Sequence, residues 1–455
     1  MPAGSSSLFA AASARLLPVT FVAACLGCQP PPAADNVLFV SFDTTRADRL
    51  SVYGHEQPTS PALEALAARG VVFERAFTHA PSTLPAHGSM MTGLLPPSHG
   101  VRCNGKFAIP EEDDTLAEIL GRRGFATAAI IGAFPLDARF GLAQGFDVYD
   151  DDFSTSARTA AKRRGRMDTP GFWIGHDYLD FERGADEVTD RALAWLDERR
   201  RDSRRWFLFA HYFDPHWPYE PDAAWGDRFE HAYDAEIAYT DEQLGRLLDA
   251  VAGMPGRTLV VFTSDHGEGL GDHGEELHNR YLYNSTLHVP LIMALDGTIE
   301  PGRRIGAVTG HVDIMPTVLD LVGVGAAPGS AGRSLLAAVS GRGEPAPRPL
   351  YSETLVWSLE RPMGIEVRSL IEGSYKLVET RLKPPQAERT RLELYDLSSD
   401  MGELVDRAAF DGALVSEMAG RLGRWSQSLD AGAYTPEPVA LDEGARARLK
   451  ALGYL

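Results

Sequence analysis

Apolar runs of strand length recur along this chain, and segments long enough for helices separate them. That alternation restricts the chain to an α/β fold with a largely parallel central sheet flanked by helices. The runs are Val37–Phe42, Ala126–Ile131, Trp206–Tyr212, Leu259–Thr263 and Pro290–Leu295. Helical periodicity covers Pro61–Arg69, Thr115–Arg123, Asp186–Arg199 and Ala235–Val251. Residues 154–177 break the pattern with the basic run Lys162-Arg163-Arg164-Gly165-Arg166 and read as a surface insertion. A stretch rich in Gly, Ala, Pro and Arg over 325–350 marks a domain boundary, placing a large α/β domain at 36–345. Short strand signals at Arg368–Ile371, Tyr375–Glu379 and Leu392–Leu397 follow, so 346–455 reads as a smaller C-terminal α+β subdomain.

Charge narrows the function. With 44 basic against 63 acidic residues the net charge is −19, which leaves nothing to neutralise phosphates and excludes a general nucleic-acid binder. The N-terminus predicts an address. The apolar run Leu16–Ala24 is far shorter than the roughly 20 residues that span a bilayer. It ends in Val22-Ala23-Ala24-Cys25, similar to a bacterial lipoprotein signal whose cysteine is lipidated; Cys28 is the second candidate. Residues 1–25 are then signal peptide and 26–35 a stiff, proline-rich tether. This predicts an extracytoplasmic protein, in the bacterial periplasm or at the cell surface, held to the membrane by an N-terminal lipid.

In open α/β sheets ligands bind beyond the carboxyl ends of the strands, so the residues just after each strand test for a site. Val37–Phe42 runs into Asp43-Thr44, and Trp206–Tyr212 into Asp214-Pro215-His216-Trp217-Pro218. Leu259–Thr263 ends in Ser264-Asp265-His266-Gly267-Glu268. All three ends carry a carboxylate, and two carry an imidazole as well. Carboxylates and imidazoles delivered from separate strands to one rim are what a divalent cation requires.

Longer blocks then carry a resemblance. Asn36-Val-Leu-Phe-Val-Ser-Phe-Asp43-Thr-Thr-Arg-Ala-Asp48, with Tyr53-Gly54, resembles the opening of the sulfatase family of the alkaline phosphatase superfamily. Ser82-Thr83-Leu84-Pro85-Ala86-His87 through Thr92-Gly93 is similar to its nucleophile signature, Cys/Ser-x-Pro-Ser/Ala-Arg ending in Thr-Gly. Ser264-Asp265-His266-Gly267-Glu268 through His278 and His288-Val289-Pro290 resembles its second metal block. Gly310-His311-Val312-Asp313 and Leu394-Tyr395-Asp396-Leu397 match later landmarks.

Departures from the pattern shift the expected chemistry. Thr83 stands where sulfatases carry the residue converted to formylglycine, His87 replaces the signature arginine, and Gly132-Ala133-Phe134-Pro135 replaces a lysine-bearing block. A threonine there, and Asp265-His266 for the usual Asp-Asn, are similar to the nucleotide pyrophosphatases and lipid phosphoethanolamine transferases of the superfamily, and Asn104 falls where its phosphodiesterase and phosphonate monoester hydrolase-like members place an oxyanion-binding asparagine. The resemblance implies one divalent ion (calcium, manganese or zinc) on Asp43, Thr83, Asp265 and His266, with Thr44 as a further contact. If Asp214, His216 and His278 gather a second ion, the site holds two. Asn104, His87, His216 and His278 are the expected donors around the ester, and His216 or His278 the acid for the leaving group. His99 and His273 read as surface or turn residues, and Glu353 as a cleft residue or a plain salt bridge.

The leading expectation is a metallohydrolase of sulfuric or phosphoric esters, with a small-molecule, glycan or lipid ester as partner. A phosphoethanolamine-type transferase and a catalytically silent metal-binding lipoprotein remain open alternatives. Mass spectrometry of membrane-extracted protein is expected to show a mature chain starting at acylated Cys25; an unacylated chain retaining Met1 refutes this.

Overall fold

A computed structural model describes residues 33–154, 182–221, 223–327, 329–358, 361–384, 386–434 and 436–451. The expected signal segment and the basic run 162–166 lie outside the described residues. In chain order the strands are β1 (Asn36–Phe42), β2 (Val71–Phe73), β3 (Ala76–Phe77), β4 (Ala126–Ile130) and β5 (Val148–Asp150). Next come β6 (Trp206–Tyr212), β7 (Thr258–Ser264), β8 (His288–Val289), β9 (Leu291–Ala294), β10 (Arg303–Ile305) and β11 (Thr309–Gly310). The C-terminal strands are β12 (Leu350–Ser358), β13 (Arg361–Glu372), β14 (Tyr375–Leu382) and β15 (Arg389–Asp396).

The main sheet has eight strands in the order β10-β2-β9-β7-β1-β6-β4-β5. β1 lies at its heart, parallel to both β6 and β7, with Val37 opposite Phe207 on one side and Leu259 on the other. Every residue of β1 and β6 is buried, which explains why their sequences are nearly continuous apolar runs. Side chains alternate between two cores. Val37, Phe39, Phe207, Phe209 and Leu259 face one core, shared with Leu84 and Met90 of the helix Thr83–Thr92. Leu38, Val40, Leu208 and Phe262 face the other, against Leu63, Val188 and Leu244 of the helices Pro61–Arg69, Ala185–Arg199 and Ala232–Ala252.

One strand departs from the parallel arrangement. β9, the Pro290–Leu295 run, is antiparallel to both β7 and β2. A parallel return needs a crossover that carries the chain back to the other end of the sheet. Between β7 and β9 the only α-helix is the single turn Asn284–Leu287, so the chain stays on the rim where β7 ended and re-enters from there. That rim segment holds His266, Glu268 and His278.

The C-terminal strands form a four-stranded antiparallel sheet in the order β12-β13-β14-β15. Tyr351, Leu370, Leu377 and Leu394 on one face pack on Val415, Met418 and Leu422 of the helix Gly412–Ala431. Leu350, Val367, Ile371 and Val378 on the other pack against Phe77, Leu282 and Leu287 of the catalytic region. Within this contact the fully buried Lys376 Nζ lies 2.7 Å from Glu403 Oε1 and donates to Asn284 Oδ1 at 2.9 Å. Glu403 Oε2 in turn accepts from the Asn284 amide at 2.5 Å, so a buried ion pair ties the subdomain to the rim segment.

A buried pair stripped of one partner leaves a charge with no compensation. Glu403→Gln is therefore expected to cost about 3–5 kcal/mol. Thr115→Ala, which removes the helix-capping hydroxyl accepting from the Glu118 amide at 3.1 Å, is expected to cost about 1 kcal/mol. Denaturant midpoints check both.

Candidate active site and metal centre

The parallel register carries Asp43 one residue beyond β1, where its amide donates to Tyr212 O at 2.8 Å. Thr44 then adopts a φ of 49°, in the left-handed region that β-branched residues avoid. Its amide donates to Asp265 Oδ1 at 3.1 Å and its carbonyl accepts from the Tyr233 hydroxyl at 2.6 Å, which holds the turn in place. Asp265 and His266 occupy the matching position beyond β7, and the His266 amide donates to Asp265 Oδ1 at 2.8 Å. His266 Nδ1 donates to the Gly267 carbonyl at 2.9 Å, which leaves a lone pair on Nε2.

That lone pair faces 3.7 Å to Asp43 Oδ1 and 3.5 Å to Asp265 Oδ2. His211 Nε2 lies 3.4 Å from the other oxygen of that carboxylate, Asp43 Oδ2. All four side chains are fully buried. Both Asp43 oxygens, Asp265 Oδ2, His266 Nε2, both His211 nitrogens, Thr44 Oγ1 and Thr83 Oγ1 are buried without a hydrogen-bond partner. Buried polar atoms normally find partners, and the unpartnered oxygens of Asp43 and Asp265 meeting the His266 lone pair describe a cation's place. Among the described residues, two ligand groups meet the distance requirement of one ion, Asp43/Asp265/His266 and His87/His211/Asp265. The residues present fit a divalent metal.

Without a cation the cost shows in the acidities. Burial pushes the Asp43 carboxyl up to about 7, with Glu268 adding repulsion against the opposing pull of His266. Burial, then the neighbouring Asp43, pushes Asp265 up to about 8. Burial also drives His87 down to about 3 and His211 down to about 4. Two carboxylates cannot both ionise in an apolar wall unless a positive charge lies between them.

Thr83 begins the helix Thr83–Thr92, which starts at this rim. His87, one turn on, donates from Nδ1 to the Thr83 carbonyl at 2.8 Å, and its Nε2 is 2.9 Å from Ser41 Oγ. Its ring thus links the helix to β1, with Nδ1 3.8 Å from Asp265 Oδ2. Asn104 Oδ1 accepts from the Leu84 amide at 2.8 Å, and its Nδ2 is buried and bare. Arg102, two residues earlier, is clamped by both oxygens of Glu353 on β12, at 2.5 and 2.6 Å. Glu353 is therefore a salt-bridge residue that holds the Asn104 loop.

His216, His278 and Glu268 form a second group. His278 lies with its ring centroid 4.5 Å from that of His266 and 5.2 Å from that of His216. Its Nδ1 is 2.9 Å from Glu268 Oε1, and Tyr219 donates to Glu268 Oε2 at 3.0 Å. His216 Nδ1 donates to the Trp217 carbonyl at 2.6 Å, leaving Nε2 bare. Asp214 departs from the alternative second-ion set: its Oδ2 accepts from the Ala185 amide at 2.9 Å, at the start of the helix Ala185–Arg199. His273 does lie in an exposed turn. His99, expected near the surface, is fully buried beneath the helix Thr83–Thr92, where a Cβ on Gly88 would stand 2.9 Å from its ring.

Sequence reasoning missed two residues. His211 sits inside β6, one position before the strand end; its signal was a lone imidazole in the otherwise apolar Trp206–Tyr212. Glu268 was read only as part of a motif, yet it is fully buried between His278 and Tyr219. A carboxylate two residues beyond the Asp265-His266 pair was the signal.

Comparison with known proteins agrees with the fold. The sulfatase family profile matches residues 35–324, and the C-terminal region of N-sulphoglucosamine sulphohydrolase matches 271–424. The chain belongs to the sulfatase family and is a hydrolase of that family. Choline-sulfatase of Rhizobium meliloti is 27% identical over 419 residues, covering 77% of each chain. Mouse steryl-sulfatase is 24% identical over 423 residues, covering 71% of this chain and 67% of its own length. Among solved structures, the phosphonate monoester hydrolase of Silicibacter pomeroyi shares the fold with a TM-score of 0.65 at 21% identity, over 87% of this chain and 94% of that one.

The acidities set a pH dependence for the metal-free chain. Asp43 and Asp265 have folded values near 7 and 8 against an ordinary 3.8, so the folded state holds the extra protons. Stability contributed by these groups is complete below about pH 4 and is lost as pH rises toward 8. Melting of chelator-treated protein is expected to fall over that window. A saturating divalent cation should restore it, with the largest gain at the alkaline end.

Proposed function

We propose that this chain is a metal-dependent hydrolase that cleaves a phosphodiester, phosphonate monoester or sulfuric ester through Thr83. One observation carries the reading: a threonine hydroxyl, fully buried and without a hydrogen-bond partner, begins a helix at the carboxylate–imidazole rim. Asp43, Asp265, His266 and Thr83, with Thr44 beside them, would hold the ion. When bound, a divalent cation lowers the pKa of a hydroxyl it touches and offsets charge growing on the ester oxygens.

The chain's own groups do the rest. Thr83 Oγ forms a bond to phosphorus or sulfur as the bond to the leaving oxygen breaks, and water later hydrolyses the resulting ester and frees Thr83. Asn104 Nδ2, its Oδ1 committed to the Leu84 amide, is available to donate to a non-bridging oxygen. His87 fixes the first turn of the Thr83 helix through the Thr83 carbonyl. His278 shares a proton with Glu268 across 2.9 Å, and burial raises Glu268 to about 7. That pair, with the bare Nε2 of His216 beside it, supplies the proton taken by the leaving oxygen. The same reading keeps the protein outside the cytoplasm on its N-terminal lipid and gives it a small-molecule, glycan or lipid ester as substrate.

Thr83 also orders the esters. A hydrated formylglycine can expel sulfate through its second hydroxyl; a threonine ester has none and must be opened by water. Turnover of p-nitrophenyl phosphodiester or phosphonate is expected to exceed that of p-nitrophenyl sulfate, with Thr83 unmodified by mass spectrometry. Thr83→Ala should lose several orders of magnitude in kcat/KM, and Thr83→Ser should retain far more. Near-native activity in Thr83→Ala refutes the nucleophile.

A further inference from the structure

β12 is an edge strand of the C-terminal sheet, so one side of its backbone has no partner within that sheet. An edge strand presents a row of amides and carbonyls that have to be met from elsewhere. Here they are met by the two residues that lead into the nucleophile loop. The Glu353 amide donates to the His79 carbonyl at 3.0 Å, and the His79 ring donates from Nδ1 to the Tyr351 carbonyl at 2.6 Å. Between them Ser352 Oγ donates to the Thr78 carbonyl at 2.8 Å. All five residues are buried. Thr83 follows His79 by four residues, so residues 351–353 grip the chain just before the proposed nucleophile.

The Glu353 side chain reaches a different segment. Its Oε1 accepts from Arg102 Nε at 2.5 Å, and its Oε2 accepts from Arg102 Nη2 and from the Tyr351 hydroxyl, each at 2.6 Å. Two residues beyond Arg102, Asn104 Oδ1 accepts from the Leu84 amide at 2.8 Å, beside Thr83. A circuit therefore closes, from Thr83 back to His79, across to Glu353, through its carboxylate to Arg102, along to Asn104 and back to Leu84. Within this circuit Glu353 alone touches both arms, with its amide on the nucleophile arm and its carboxylate on the Asn104 arm.

Holding two arms together needs only apolar contact, and a buried ion pair is a costly way to do it, because desolvation consumes most of the attraction. What a two-pronged guanidinium–carboxylate pair adds is geometry, since it holds one separation and one orientation. The group on this loop whose position matters is the buried, bare Asn104 Nδ2.

We infer that Glu353 is a positioning residue of the reaction: it sets where Asn104 Nδ2 stands relative to Thr83 Oγ, so that the C-terminal subdomain takes part in turnover without touching the ester. This rests on the proposed function for the roles of Thr83 and Asn104. A donor to charge growing on a non-bridging oxygen helps only if it is already in place, and a displacement of about 1 Å can cost about 100-fold in rate. That charge grows in the transition state, so misplacement should appear in kcat and leave KM nearly unchanged.

The test assays the full, metal-loaded chain on the p-nitrophenyl ester it turns over fastest. Asn104→Ala is expected to lower kcat about 100- to 1000-fold, the range for losing one such donor. Glu353→Gln keeps the size of the side chain and the amide bond to His79 but cannot accept both prongs of Arg102. It should lower kcat about 10- to 100-fold with KM within about threefold. The signature lies in the double variant. Added to Asn104→Ala, Glu353→Gln should cost less than about threefold more, because its effect runs through a group already gone. A purely structural role would leave the two penalties multiplicative. Arg102→Lys, which keeps the charge and loses the fork, should behave in the same way and serves if Glu353→Gln folds poorly. Multiplicative penalties, or native kcat in either variant, overturn the inference. Native kcat in Asn104→Ala removes the proposed donor and the inference with it, whereas a loss there with multiplicative penalties leaves the proposed function standing.

Discussion

Two carboxylates, Asp43 and Asp265, are sealed in an apolar wall with the lone pair of His266 aimed at both. As a stand-alone arrangement it is repulsive, and burial amplifies the repulsion because the low-dielectric surroundings screen little. The rest of the rim can be understood as the scaffolding that makes this tolerable. β1 sits between β6 and β7, so the three strand ends carrying Asp43, His211 and Asp265 cannot drift apart without breaking parallel ladders on both sides of β1. Thr44 accepts a left-handed backbone in exchange for hydrogen bonds to Asp265 and Tyr233, fixing one carboxylate to the other. Rigid walls prevent the charges from relaxing into solvent, so a cation is the remaining remedy.

The C-terminal subdomain serves the same end. Its sheet reaches the rim at two places, both through ion pairs. Glu353 on β12 holds Arg102 and with it the loop of Asn104. Lys376 on β14 and Glu403 hold Asn284, near the return of the chain into β9. Both contacts act on loops that a bare α/β sheet would leave loose, and both loops carry groups proposed to touch the ester or follow those that do. Preorganised donors stabilise a transition state only if they do not have to move into place.

Much of this was legible in the residues. The runs Trp206–Tyr212 and Pro61–Arg69 coincide with their elements, because a buried parallel strand must be apolar throughout and because Pro61 can start a helix but not sit inside one. The carboxylates after β1 and β7 were legible too, since a carboxylate ending an apolar run has few structural reasons to be there. The direction of β9 was not. Its apolar pattern suits either orientation, and only the absence of a long crossover helix from the rim segment turns it antiparallel.

By itself the sequence determined the α/β class, the carboxylates that follow its strands and the Asp265-His266 pair, because each follows from local composition or from residues adjacent in the chain, whereas the place given to Thr83 rested on a resemblance to the family's signature. Only the tertiary structure decided which imidazoles meet the carboxylates. His211 reads as a strand residue, His99 as a turn residue and Asp214 as a rim ligand. Folding turned the first toward Asp43, buried the second under Gly88, and gave the third to the Ala185 amide. Where a side chain points past the end of a strand depends on what its neighbours, hundreds of residues away, have left unpaired, and no local pattern records that.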